Sequence, residues 1–381
     1  MTEKRKNIDK VPNLRFPEFT EEWEERKLGE IATNKSKKYN PKTDNTFVKC
    51  IELEHLASDT GELLGFIDGS QSGSIKNVFK KGDVLFGKLR PYLKKYHQPN
   101  FDGVCSSEIW VLNGKEISND FLYYLIQTNL FIDIANQSSG SKMPRADWSV
   151  LENSPFLFPR LSEQQKISSF LNLLDERISS SMKTISELEK LRIQIRDNLL
   201  LQKIRFKDES GNNYPDWEKI KIEEVCEKQS SNISANKIED NFGEFPIYGA
   251  TGFLKNVDFY EVEMDYIAII KDGAGVGRLF LCSGKSSVLG TLDIITPKNI
   301  NLYFLYCLLS NINFDKYSTG STIPHIYFKD YKNEFCMIAC VEEQQKIANF
   351  LFSIDSKIDI ENQILQKLEE QKKYFLANLF I

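Results

Sequence analysis

The chain has 381 residues, 41% hydrophobic and 27% charged, enough apolar side chains for two or three cores and too many for a disordered protein. A formal net charge of −5 excludes a uniformly basic nucleic-acid binder, so any such binding has to come from local patches. Seven cysteines scattered from Cys50 to Cys340 fit buried thiols in a reducing compartment better than a disulfide framework, and three histidines leave little for imidazole chemistry or a zinc site.

No apolar run approaches ~18 residues and no signal-like segment follows the N-terminal lysines and arginine, so the expectation is a cytoplasmic protein with no membrane partner. From the N-terminus, Leu14-Arg15-Phe16, Trp23 and Leu28-Gly29-Glu30-Ile31 lead into short strand-like runs at residues 47–53, 83–89 and 108–112. Residues 71–100 hold Lys76, Lys80, Lys81, Lys88, Arg90, Lys94 and Lys95 against one acid, Asp83, with Phe79, Phe86, Tyr92 and Tyr96 interleaved. Such a stretch suits phosphate neutralisation, with an arginine or a few polar side chains reaching base edges, although a solvated charged face has the same composition. Residues 121–126 predict a helix inside the domain. Ser139-Gly140-Ser141-Lys142-Met143-Pro144 predicts a turn before an apolar strand. Its hydroxyls and backbone N–H groups suit a phosphate, so Ser141, Lys142 and Arg145 join Lys76, Lys81, Lys88, Arg90, Tyr92, Lys94 and Lys95 as candidate DNA contacts of the first domain.

Residues 161–203 organise the rest of the chain. Apolar side chains at Ile167, Leu171, Leu174, Ile178, Ile185, Leu188, Ile195 and Leu199 alternate at three and four residues, one seam on a helix. The seam runs about 60 Å at 1.5 Å per residue, too long for one small core. Shifted by 180 residues, it returns as Ile347, Leu351, Ile354, Ile358, Leu365, Leu368, Phe375 and Leu379, and Glu163-Gln164-Gln165-Lys166-Ile167 returns as Glu343-Gln344-Gln345-Lys346-Ile347. The polar interruptions coincide too, Ser181 with Glu361 and Arg192 with Lys372. Helices with matching seams are expected to pack on each other, and antiparallel if the segment between them is a compact domain with neighbouring termini.

That segment repeats the first domain loosely: Ile204-Arg205-Phe206, Trp217 and Ile222-Glu223-Glu224-Val225, then strand-like runs at 266–271, 279–282 and 292–296, a helix at 304–309, and Thr319-Gly320-Ser321-Thr322-Ile323-Pro324. It is less basic; Lys271, Arg278, Lys285, Ser321, Thr322 and His325 are its candidate DNA contacts. Asp272-Gly273-Ala274-Gly275-Val276-Gly277 invites a nucleotide-loop reading, but the apolar residues after it look like a returning strand and present no helix N-terminus to a phosphate. Pro215-Asp216-Trp217-Glu218-Lys219 lacks the second acid and lysine of a nuclease, and no methyltransferase motif, phosphate loop or Ser or Cys triad is evident.

The expected fold is α+β: two pseudo-repeated globular domains at 1–160 and 205–340, separated by a long antiparallel two-helix coiled coil built from 161–204 and 341–381. The intervals 35–100 and 228–290 resemble each other least, which makes them the expected seats of two different specificities.

Over nearly its full length the chain resembles the specificity subunit of Type I restriction-modification systems. The resemblance rests on the two Glu-Gln-Gln-Lys-Ile motifs, the Gly140-Ser141 and Gly320-Ser321 turns with Pro144 and Pro324, and the Trp23 and Trp217 lead-in segments, in that order and duplicated. It implies a non-catalytic subunit that binds a bipartite, asymmetric double-stranded DNA target and recruits methyltransferase subunits, two of them, and restriction subunits. It also implies no cofactor in this chain, with S-adenosylmethionine, ATP and Mg on the partners. Gln164, Arg177, Lys190, Arg196, Gln344, Lys357, Lys367 and Lys373 are then candidate subunit contacts. One departure is Ala339 where the first copy has Pro159, which puts the equivalence of the two helix starts in doubt. A protein-binding coiled-coil scaffold without DNA recognition and a stand-alone DNA-modifying enzyme are the alternatives.

Overall fold

The computed structural model describes residues 10–44, 46–137, 143–320 and 322–381. The chain divides into two compact units, one of residues 1–182 with 363–381 and one of 183–362. Each unit holds one α+β domain with the beginning of one long helix and the end of the other.

In the first unit, strand Val84–Gly87 pairs with Ile109–Gly114 at the centre of a four-stranded antiparallel sheet. Apolar side chains fill both faces of these strands because both faces are covered. Val84, Phe86, Trp110 and Leu112 enter the main core with the domain helix Asn119–Leu125, whereas Leu85, Ile109 and Val111 join Phe79 and Cys105 of a five-stranded sheet. The second unit repeats this division. Ile267, Ile269 and Ile295 enter its main core beside helix Leu302–Ser310, while Tyr266, Ala268, Ile270, Leu292 and Ile294 meet Val288 of a three-stranded sheet. The central sheets correspond strand for strand; the outer sheets, five strands against three, do not, and all their strands but Gly103–Cys105 fall in the intervals that diverge in sequence. Burial pushes the thiols of Cys50, Cys226, Cys282 and Cys307 up to about 12, which suppresses the reactive thiolate.

Before each long helix the chain forms first a short helix, Trp148–Asn153 or Phe328–Tyr331, and only then the apolar strand, Pro155–Phe158 or Phe335–Ile338. The short helices are absent from the sequence-based expectation because one or two turns leave no readable period. Each apolar strand pairs antiparallel with the lead-in segment, Glu24–Lys27 or Glu218–Lys221.

The long helices span Leu161–Leu200 and Val341–Asn378. The first stops where Gln202 turns left-handed (φ 54°) and the Lys203 N–H bonds back to the Asn198 carbonyl, a C-terminal cap. All sixteen seam positions are buried or half-buried, with Ile167 and Ile347 fully enclosed. Within the first unit the helices run antiparallel: Phe170 packs edge-on to Phe375 at 4.8 Å and Asp175 pairs with Lys372 at 2.8 Å. Within the second, Arg192 pairs with Asp355 at 2.5 Å, the same contact with the copies exchanged. The seam interruptions Arg192 and Lys372 are thus each paired with the acid of the other helix. The helix ends do more than meet each other, since Leu199 and Leu200 enter the second main core and Leu379 and Phe380 the first. Fully burying such side chains contributes about 1.5–3 kcal/mol apiece.

The Glu-Gln-Gln-Lys-Ile motif fastens each helix to its domain. Glu163 accepts two hydrogen bonds from Arg15 of the lead-in, and Glu343 two from Arg205 plus one from Trp217 Nε1 at 2.8 Å. The equivalent Trp23 Nε1 is buried with no partner among the described residues. Gln164 accepts from the Ser118 N–H and donates to the Pro159 carbonyl; Gln344 accepts from the Asn301 N–H and donates to the Ala339 carbonyl. The Pro159-to-Ala339 departure therefore leaves the helix start unchanged, because only the carbonyl is used.

Candidate nucleic-acid interface

Two segments distant in sequence come together at the end of the central strand in each domain. In the first, the Lys88 N–H donates to the Glu108 carbonyl (2.9 Å), the Arg90 N–H to the Pro144 carbonyl (2.8 Å) and the Ala146 N–H to the Lys88 carbonyl (2.8 Å), with Leu89 bridged to Arg145. In the second, the Lys271 N–H donates to the Thr291 carbonyl (3.0 Å), the Gly273 N–H to the Pro324 carbonyl (2.9 Å) and the Ile326 N–H to the Lys271 carbonyl (2.9 Å), with Asp272 bridged to His325. One backbone frame is built twice and carries different side chains: Lys88, Leu89, Arg90 and Arg145 in one copy, Lys271, Asp272, Gly273 and His325 in the other. The frame needs a left-handed residue at its third position, and Gly273 (φ 88°) supplies it without strain. Arg90 adopts the same conformation (φ 52°) at a cost of about 1–2 kcal/mol, and Lys94, four residues on, is left-handed as well (φ 47°). Strain of this kind collects at functional positions.

The seven basic residues of the first domain differ in what they offer. Lys76 does not belong to the surface: it is 4% exposed and paired with Glu52 at 2.5 Å. Lys80 pairs with Asp102, Lys94 with Asp59 at 3.6 Å, and Lys95 donates to the Leu53 carbonyl. Lys81, Lys88 and Arg90 make no side-chain hydrogen bond or ion pair with any described residue, and Tyr92 is 52% exposed beside them in sequence. Arg145 is exposed but held by Glu108 at 3.0 Å. Ser141, Lys142 and Ser321 lie outside the described residues.

The second domain opens a cavity of about 1020 Å³ at its frame, lined by Lys228, Lys271, Asp272, Asp293, His325 and Lys332 among others. Asp293, buried, holds Lys271 at 2.9 Å and Lys228 at 3.7 Å. Glu223 holds Lys332 at 2.7 Å, and Asp272 holds His325 Nδ1 at 2.7 Å. Lys271 is thus no free cation, unlike its counterpart Lys88. Arg278, Lys285 and Thr322 are exposed, with Lys285 left-handed (φ 51°) and 3.9 Å from Glu263. The carboxylates Glu108, Asp272 and Asp293 have no place among the sequence-based candidates. Basic composition draws attention away from acids, and nothing short-range announces their partners.

Of the candidate subunit contacts, Gln164 and Gln344 are buried and serve the helix starts, and Arg196 is engaged by Asp197 at 2.8 Å. Arg177, Lys190, Lys357, Lys367 and Lys373 are exposed on the long helices.

Comparison with known proteins agrees with this duplicated plan. The sequence profile described as the Type I restriction modification DNA specificity domain matches residues 20–190 and again 214–370. The MjaVIII specificity subunit of Methanocaldococcus jannaschii is 25% identical over 427 residues, covering 97% of this chain and 94% of that protein. The EcoDI specificity subunit of Escherichia coli is 26% identical over 194 residues, a match spanning 48% of this chain and 43% of the relative. In fold, the S subunit of a Type I restriction-modification system from M. genitalium superposes with a TM-score of 0.67 at 18% identity, covering 97% of this chain and 99% of that one. With the family profile matched twice and most of the chain covered, this protein belongs to the Type I restriction-modification DNA specificity family and carries its domain in two copies.

Proposed function

We propose that the chain is the non-catalytic, sequence-reading subunit of a Type I restriction-modification complex. It binds a bipartite, asymmetric double-stranded DNA target, one half-site to each domain, and recruits two methyltransferase subunits together with restriction subunits. S-adenosylmethionine, ATP and Mg then belong to those partners, and the exposed cations Arg177, Lys190, Lys357, Lys367 and Lys373 are available for contacts with them. The observation that carries the reading is the backbone frame built twice with different side chains, the economical way to present two readouts on one scaffold. No helix among the described residues is long and apolar enough to cross a membrane, and the cytoplasm, where such a complex meets DNA, is the proposed location.

The test replaces residues 228–290, which include the three-stranded sheet, with the corresponding segment of a related protein, and maps methylated sites in cells producing the complex. One half-site is expected to change and the other to persist. Alteration of both halves, or of neither, would overturn the assignment.

A further inference from the structure

We infer that Asp272, held by His325, is a base-reading residue of the second domain and selects a base that presents an amino group in the major groove, cytosine or adenine. The inference deepens the DNA-reading function proposed above and rests on it. The pair occupies the frame position that Leu89 and Arg145 occupy in the first domain, where the leucine offers no acceptor. His325 Nδ1 lies 2.7 Å from Asp272 Oδ1, fixing the carboxylate, while Oδ2 accepts no hydrogen bond from any described residue. The two side chains remain 32% and 36% exposed.

The surrounding cavity is not built as a phosphate clamp. Lys271 and Lys228 are answered by Asp293, Lys332 by Glu223 and Lys298 by Glu227 at 3.3 Å, so four of the five lining lysines are already satisfied, and the fifth, Lys329, lies over the Tyr327 ring at 5.1 Å. A fixed carboxylate with an open acceptor oxygen repels phosphate and needs a donor. In the major groove the donors on base edges are the amino groups of cytosine and adenine, and carboxylates pair there with cytosine N4. Arg90 and Lys88, cations at the same frame in the first domain with no partner among the described residues, fit acceptor edges and phosphates instead. One scaffold therefore presents opposite hydrogen-bonding polarity in its two copies.

The experiment selects bound sequences from a pool of randomised duplexes with the full-length chain as wild type, Asp272→Ala and Asp272→Leu, the latter carrying the residue that the first domain has at this frame position. Wild type is expected to enrich a two-part motif whose second half contains a cytosine or adenine position that both variants lose, by roughly 5- to 150-fold in discrimination. The first half should persist in the same molecules, which also shows that the variants are folded. Should Asp272→Ala fail to fold, Asp272→Leu, similar in size and without an acceptor, carries the comparison. An unchanged motif overturns the inference, as does an equal loss of affinity for every sequence, and both outcomes leave the DNA-reading function standing. A wild-type chain that enriches no motif overturns that function and the inference with it.

Discussion

Replacing Lys88 with alanine and Arg90 with glycine is expected to weaken DNA binding while leaving the fold at least as stable. Both residues sit on the frame at the end of strand Val84–Gly87, and neither charged group has a partner among the described residues. Every cation removed from a phosphate should flatten the log–log salt dependence of binding by about one unit, and an arginine that reads a base edge contributes about 1–3 kcal/mol. Stability should move the other way. Arg90 is left-handed where Gly273 stands in the second copy, so glycine removes strain of about 1–2 kcal/mol, offset by about 0.5–1 kcal/mol of extra chain entropy in the unfolded state. A salt titration of duplex affinity beside urea unfolding checks both halves. Binding that is unchanged, or stability that falls by more than about 1 kcal/mol, would show that Arg90 is held in place for structural reasons.

Glu343→Ala is expected to be the most destabilising single change at the helix starts. The carboxylate is fully buried and accepts from Arg205 and Trp217, so its loss strands the indole N–H and leaves the guanidinium with the Tyr214 and Pro215 carbonyls and the exposed Asp216. Breaking a buried pair costs about 3–5 kcal/mol, and the lower end applies because Arg205 is 22% exposed. The same change at Glu163 leaves Arg15 with the Glu21 carbonyl and should cost about 1 kcal/mol less, since Trp23 Nε1 has no partner among the described residues to lose. Glu343→Gln, which keeps an acceptor for Trp217, should recover part of the difference. Equal urea midpoints for Glu343→Ala and Glu163→Ala would mean that the indole bond contributes nothing.

Both sites bear on how much of this molecule is written locally. The long helices are legible because a seam of eight positions occurs twice at the same spacing, and the central strands are legible because runs such as residues 266–270 are apolar on both faces. The Glu-Gln-Gln-Lys-Ile motif is visible as a repeat, yet its work is not, since Arg15 and Ser118 reach it from 148 and 46 residues away. The interface is the least legible part. Lys76 and Lys88 look alike in the sequence, and only the arrival of Glu52 beside one of them separates a buried ion pair from an open cation. Asp272 stands in the sequence as the first residue of a glycine-rich loop; its meaning comes from His325, 53 residues later. Charge composition finds a basic stretch, whereas the function of each charge is set by partners that topology delivers.

Two copies of one frame are proposed to read two different half-sites, and this assignment organises the whole molecule. It is tested most directly by selecting bound sequences from a randomised duplex pool with the intact wild-type chain. The expected result is one motif of two unlike halves separated by unspecified bases, the halves about one helical turn apart. A single continuous motif, two identical halves or no enrichment at all would contradict it.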